Sequence, residues 1–290
     1  MEQQLTVDGH QRRYLLHVPA MVKDPAPLVI AMHGGGGKAT TMVRLSRFNA
    51  LADQEGFIVG YPEALDGYWN DGRGVEAMRS HRESINDVKF LRAVVDDVAA
   101  KHQIDSTRVF ATGISNGGFM SHRLAVEASD MVASIAPVVG GLAQPLAKRF
   151  APKYPVSILI VQGDADPIVP IGGGGIGLPG DKKRGEILPT TETLALYVKR
   201  NGNVGEPTKT TLDKDPNDKF SVEIAKYPDG PGGVKTQYYL VHGGGHNWPG
   251  QAAQLRNVNV TESKVSPDFS ATDVIWEFFK SCPAREAATE

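Results

Sequence analysis

Short runs of apolar and β-branched residues alternate along this chain with longer stretches whose apolar positions recur every three or four residues. The short runs read as strands: Tyr14–Val18, Pro27–Met32, Phe57–Tyr61, Arg108–Thr112, Ser134–Val139 and Val156–Val161. The later ones are nearly all apolar, as central strands covered on both faces must be, and they predict a mostly parallel sheet. The longer stretches predict helices. Ser84 and Asp87 stand in capping-box spacing ahead of Val88, Leu91, Val94, Val95 and Val98. A second helix runs from about Asn116 to Glu127. A third follows Pro189-Thr190, turns Leu194, Tyr197 and Val198 inward and stops at Asn201-Gly202. The last stands behind Ser270 and Asp273 and carries Ile275, Phe278 and Phe279. Between these two helices, strands near Lys209–Leu212, Phe220–Lys226 and Thr236–Val241 are separated by turns rich in Asp, Pro and Gly.

With no internal repeat and no linker, this alternation predicts a single α/β domain over residues 1–290, its central sheet flanked by helices on both faces. One segment departs from the pattern. Ile171–Gly185 is glycine-rich, charged at its end and too polar for a core, so it reads as a mobile surface loop.

Composition narrows the function classes. Over 290 residues, Lys+Arg 31 against Asp+Glu 33 leaves a formal charge of −2, without the basic excess that neutralising phosphates requires, so nucleic acid is not an expected partner. No apolar run approaches the ~18 residues of a membrane span. The single cysteine, Cys282, excludes an internal disulfide and a cysteine-based zinc site. The N-terminal residues carry no signal-peptide pattern.

The chemistry is concentrated after the strands. Gly113-Ile114-Ser115-Asn116-Gly117 fits G-x-S-x-G, the tight strand-to-helix turn that holds a serine hydroxyl up at the edge of a sheet; side chains at the glycines would collide with neighbouring elements. A serine hydroxyl is a weak nucleophile, so it needs a base, an orienting carboxylate and oxyanion donors. In the α/β-hydrolase arrangement the acid and then the base follow the serine along the chain. Here Val156–Val161 leads into Asp164-Ala165-Asp166-Pro167, and a later strand leads into His242-Gly243-Gly244-Gly245-His246. Asp166 is deeper in its loop and restricted by Pro167, whereas Asp164 sits where the chain leaves the strand and can satisfy turn amides. His246 sits at a glycine-flanked tip beside Trp248, whereas His242 ends a strand. The expected triad is therefore Ser115, Asp166 and His246. His33-Gly34-Gly35-Gly36-Gly37, directly after a strand, offers amides that no Cβ obstructs. Gly35 and Asn116 are the expected oxyanion donors.

Competing readings fare worse. A zinc site on His242 and His246 lacks the helix that would put both imidazoles on one face, and it lacks a third ligand. A phosphate loop fails at Met32 and at Ala39, which follows Lys38 where Ser or Thr should stand. A dinucleotide pattern on Gly34, Gly36 and Ala39 leaves Ser115 and His246 unexplained. The expected chemistry uses no cofactor and no metal. The alternative from another class is a non-catalytic α/β-hydrolase-like protein that binds a carbohydrate or hydroxyacid polymer, which would have no need of Ser115 and His246 together.

Tyr14-Leu15-Leu16-His17-Val18-Pro19, His33 to Gly36, Tyr68-Trp69-Asn70, Asn86-Asp87-Val88, Gly113 to Gly118, Asp166 to Pro170 and Gly245-His246-Asn247-Trp248-Pro249-Gly250 together resemble one family. It is the esterase family that contains short-chain polyhydroxybutyrate depolymerases, feruloyl esterases and acetyl xylan esterases. The resemblance implies an α/β-hydrolase fold, agrees with the Ser115–Asp166–His246 triad, and implies that loops around Trp69, Asn70 and Trp248 shape the substrate pocket. It implies ester substrates, small or oligomeric: feruloyl or acetyl esters of plant polysaccharide, or short hydroxyalkanoate esters. It also implies export or a periplasmic place. Against this, Asn203 stands where relatives commonly have Cys, and the chain as given has neither a leader pattern nor an added polymer-binding module, so a cytoplasmic place fits it too and crystalline polyester is disfavoured. Asp87 is open between a substrate contact and a helix cap. Trp69 is open between an aromatic wall and a loop anchor. Asn259-Val260-Thr261 is a glycosylation sequon. The glycine-rich loop after Asp166 starts at the rim of the expected site and reads as a lid.

Overall fold

The computed structural model describes residues 1–177, 184–251 and 265–285. Ten strands form one sheet: β1 (Glu2–Val7), β2 (His10–His17), β3 (Ala26–Met32), β4 (Ile58–Pro62), β5 (Ile104–Ile114), β6 (Ser134–Val138), β7 (Ser157–Gly163) and, after a small hairpin of β8 (Gly174–Gly175) and β9 (Glu186–Ile187), β10 (Thr208–Leu212), β11 (Ser221–Lys226) and β12 (Thr236–His242). Their spatial order is β1-β2-β4-β3-β5-β6-β7-β12-β11-β10. Strands β4, β3, β5, β6, β7 and β12 run parallel, and both edges continue antiparallel through β2 and β1 and through β11 and β10.

The apolar central strands divide their side chains between two cores, as period-2 geometry demands. Leu28, Ile30 and Met32 of β3 face one core, filled by Val88, Phe90, Leu91, Val94 and Val98 of α4 (Asp87–Lys101) and by Leu124 of α5 (Asn116–Glu127). Leu194 and Tyr197 of α7 (Thr190–Asn201) close the same side. Val29 and Ala31 face the opposite core, against α1 (Ala39–Ser46), α2 (Phe48–Glu55) and α8 (Ala271–Ser281), where Phe57 stacks on Trp276 and Phe110 on Phe279. Two four-residue helices, α3 (Arg79–Arg82) and α6 (Gln144–Ala147), sit in connections.

Ser270 caps α8 by accepting the Asp273 amide, and Gly202 ends α7 in the left-handed conformation, as their positions predict. The expected capping box on Ser84 does not form. Asn86 caps α4 instead, accepting the Lys89 amide at 2.9 Å, while Ser84 lies upstream of the helix. Helices α1 and α2 are not announced by the sequence pattern. Both are only eight residues long, and their caps are Lys38 and Arg47, which lack the short side-chain oxygen that marks a helix start.

Segment 171–185 is not wholly a surface loop. Ile176 within it and Ile187 just beyond it are buried with Val169 against Phe119 of α5. Residues 178–183, on which the lid reading depends, lie outside the described residues, as does the sequon at 259–261. Asn203, where relatives commonly have Cys, ties its loop by hydrogen bonds instead: its side chain donates to the Pro228 and Val234 carbonyls and accepts from Thr236 Oγ1. No helix among the described residues is long and apolar enough to cross a membrane.

Candidate active site

The parallel strands deliver their C-terminal ends to one edge of the sheet, where ligands collect in open α/β folds. Ser115 occupies the turn between β5 and α5 with φ 54° and ψ −120°, a conformation that a non-glycine residue adopts only when its surroundings enforce it. Its amide donates to Val138 O at 2.9 Å. The glycines at its sides answer to packing. A Cβ on Gly117 would fall 2.3 Å from Met32 O, and one on Gly113 would fall 2.6 Å from Gly117 C. The turn can form only because β3 and α5 approach each other backbone to backbone at these two positions.

Asp166 and His246 come from the loops after β7 and β12. His246 Nδ1 lies 2.8 Å from Asp166 Oδ2, while Asp166 Oδ1 accepts the Ile168 and Val169 amides at 2.8 and 3.0 Å. Both side chains are buried. A second pair runs beside the first: His242 Nδ1 is 2.9 Å from Asp164 Oδ2, and Asp164 Oδ1 accepts the Gly243 amide. That pair is far more exposed. Ser115 and His246 line a single cavity of about 410 Å³ together with the loop His33–Gly37, Met42 and Leu45 of α1, Ile114, Asn247 and Trp248. His242 and Asp164 are not part of its wall.

The glycine loop is held in shape by His33. Its Nε2 accepts the Ala64 amide at 3.1 Å, which fixes Nδ1 as the protonated nitrogen facing Gly34 O at 2.8 Å. Burial also lowers its pKa from the ordinary histidine value, so the ring is neutral. Gly36 and Gly37 direct their amides to Gly67 O and Gly34 O. Gly35 instead lies against Asn116, with its Cβ position 3.7 Å from Asn116 Cβ. The Asn116 amide, at the first residue of α5, has no acceptor within its own helix.

Of the expected substrate contacts, the structure brings only Trp248 to the cavity, where its indole N–H donates to Thr272 Oγ1. Trp69 is fully buried behind the glycine loop and is not part of the cavity wall; its indole N–H donates to His33 O at 2.9 Å and its amide to Asn116 Oδ1 at 2.8 Å. Asn70 is engaged elsewhere. Its amide donates to Asp87 Oδ2 and its side chain to Ile85 O. Asp87 neither caps α4 nor reaches the cavity: it is a buried partner of Arg12 at 2.7 Å. Tyr68, 37% exposed, is the aromatic residue that packs directly on Gly35. The pattern reading also passed over Asp71, Arg73 and His81, a buried group behind Asn116. An acid and a base two residues apart, directly after Tyr68-Trp69-Asn70, are its signal in the sequence. Among the described residues, no cluster of His, Cys, Asp and Glu could hold a metal ion.

Residues 12–144 match the family model described as esterase PHB depolymerase. Over 293 aligned positions the chain is 31% identical to the putative esterase NocK of Nocardia uniformis subsp. tsuyamanensis, covering 94% of this chain and 81% of that one. The chain belongs to the esterase PHB depolymerase family. The chain spans only part of other relatives' length: it is 28% identical to feruloyl esterase B of Piromyces equi over 76% of this chain's length and 39% of the relative's. It is 33% identical to poly(3-hydroxyalkanoate) depolymerase C of Paucimonas lemoignei over 43% of its length and 30% of the relative's. Among solved structures, an acetyl xylan esterase from Aspergillus awamori superposes with a TM-score of 0.65 at 16% identity, covering 97% of this chain and all of that one. The fold is the α/β-hydrolase fold.

Proposed function

We propose that this family member is a serine carboxylic ester hydrolase that works through an acyl-enzyme on Ser115. The observation that carries the reading is the shared cavity: Ser115 and His246 line it together with the glycine loop, and a buried Asp166 carboxylate holds His246 from behind.

In this reading His246 Nε2 takes the Ser115 hydroxyl proton as Oγ attacks the ester carbonyl. The tetrahedral oxyanion is received by the Gly35 and Asn116 amides. Collapse expels the alcohol, which takes the proton from His246. Water, deprotonated by the same imidazole, then attacks the acyl carbonyl and releases the acid and Ser115. Asp166 fixes the imidazole tautomer: with its Oδ1 held by two amides, Oδ2 is left facing Nδ1–H, so Nε2 is the basic nitrogen. Hydrophobic side chains of Met42, Leu45, Ile114 and Trp248 form the apolar part of the wall and suit a small acyl or aryl group. The substrate classes that fit the family are feruloyl and acetyl esters of plant polysaccharide and short hydroxyalkanoate esters. Polysaccharide esters suit an extracellular or periplasmic enzyme, whereas short hydroxyalkanoate esters suit a cytoplasmic one as well.

The test is covalent labelling. A fluorophosphonate should modify the native protein once, on the peptide containing Ser115, and should fail to modify Ser115→Ala. Labelling elsewhere, or none on folded protein, would reject the reading.

A further inference from the structure

We infer that Asp71 is a positioning residue for the oxyanion site, acting through the side chain of Asn116. This rests on the proposed role of the Asn116 amide, and it assigns work to a charged group that the reaction itself does not use.

Asp71 is fully buried, a costly place for a carboxylate unless its partners are fixed. Two side chains hydrogen-bond to it. Arg73 Nε lies 3.0 and 2.9 Å from the two carboxylate oxygens and Nη2 lies 2.7 Å from Oδ2. Asn116 Nδ2 donates to Oδ2 at 2.5 Å. The same Asn116 side chain donates to Trp69 O at 3.2 Å and accepts the Trp69 amide at 2.8 Å. Three hydrogen bonds therefore clamp the side chain of the residue directly after the nucleophile. With its side chain fixed on the 69–71 segment, the Asn116 backbone amide has one orientation, and the loss of a correctly aimed donor is what oxyanion catalysis tolerates least.

Arg73 ties the carboxylate to the rest of the site. Its guanidinium lies 4.4 Å over the ring of Phe119, one turn along α5 from Asn116, and Nη1 donates to Arg184 O at the end of the glycine-rich segment. His81 Nε2 is 3.5 Å from Asp71 Oδ1. Burial lowers the pKa of that histidine, which favours its neutral form and leaves Arg73 as the cation hydrogen-bonded to Asp71.

The test compares Asp71→Ala, Asp71→Asn and Asn116→Ala in the full chain on p-nitrophenyl acetate, with active sites counted by fluorophosphonate titration. Asp71→Ala should lower kcat by about 10- to 100-fold with KM changed less than about threefold, part of the ~10²–10³ that a lost oxyanion donor costs. Asp71→Asn keeps an acceptor for Asn116 Nδ2 and should recover most of the loss. Asn116→Ala, which leaves the Asp71–Arg73 pair intact, should show the same loss in kcat, and adding Asp71→Ala to it should cost little more. A purely structural Asp71 would lower the yield of titratable sites but not kcat per site. Unchanged kcat in folded Asp71→Ala, or in Asn116→Ala should the former not fold, would overturn the inference, as would full additivity of the two. A wild type with no Ser115-dependent turnover would instead overturn the reading of the site on which it rests.

Discussion

Asp166 holds His246 with one carboxylate oxygen and spends the other on the amides of Ile168 and Val169, so the acid is locked by its own loop before it meets the base. Two residues earlier, Asp164 repeats the arrangement with His242 and the Gly243 amide at a more exposed position. The pairs are chemically alike and differ in whether the histidine reaches the cavity that Ser115 lines.

That difference sets the first prediction. Asp166→Asn should lower kcat on a p-nitrophenyl ester by about 10³–10⁴, the size of effect a lost orienting carboxylate has in other triads. Asp164→Asn should lower it less than about tenfold. Steady-state kinetics of both variants checks this, and a reversed order would reassign the acid and the base.

The tight turn makes a second prediction about stability. Gly117→Ala drives a methyl group to 2.3 Å from Met32 O, backbone that cannot yield, and should destabilise the protein by about 3 kcal/mol or more. Gly172→Ala, with nothing within 4 Å of its Cβ position, should stay within about 0.5 kcal/mol of wild type. Urea denaturation followed by circular dichroism measures both.

Much of this was legible in the chain, and the reasons are physical. The central strands announced themselves because they are covered on both faces, and G-x-S-x-G because no other residue fits where β3 and α5 touch. Loop position in the sequence favours Asp166 over Asp164 and His246 over His242; that Asp164 and His242 form a second, more exposed pair outside the cavity wall is visible only in the fold. Trp69 stays open in the sequence for another reason. An aromatic residue beside Asn70 reads the same in sequence whether its indole faces a ligand or, as here, donates inward to His33 O. The spacing of Asp71 and Arg73 is visible in the sequence, but a buried ion pair has no period, and only folding shows that their charges meet under Asn116.

The position of Trp69 gives a third prediction. Trp69→Phe removes the donor to a buried carbonyl and should cost about 1–3 kcal/mol of stability. The ring lies outside the cavity wall, so the ratio of kcat/KM for methyl ferulate to that for an acetyl ester should hold within about twofold of wild type. A change in that ratio with stability unaltered would return Trp69 to the substrate.

Histidine burial predicts an acid limb in stability. His122 is wholly buried on α5 with Nδ1 3.1 Å from Tyr197 OH, and burial pushes its pKa down to about 3. The unfolded chain binds the proton near pH 6.5 while the folded one does not, so stability is complete above that pH and declines as pH falls toward 3. At pH 5 this single residue should have cost about 2 kcal/mol. Buried His33 and His81, both with lowered pKa, add in the same direction. Urea denaturation between pH 5 and pH 8 should show the slope, and His122→Gln should flatten it; an unchanged slope would contradict the assignment.

An acyl-enzyme on Ser115 is tested by measuring wild type and Ser115→Ala side by side on p-nitrophenyl esters of increasing acyl length, methyl ferulate, acetylated xylan and a 3-hydroxybutyrate oligomer. Wild type should turn over at least one ester class, and turnover should fall by about 10³-fold or more in Ser115→Ala while the variant stays folded. Turnover that survives the substitution, or a folded wild type that cleaves none of them, would contradict it.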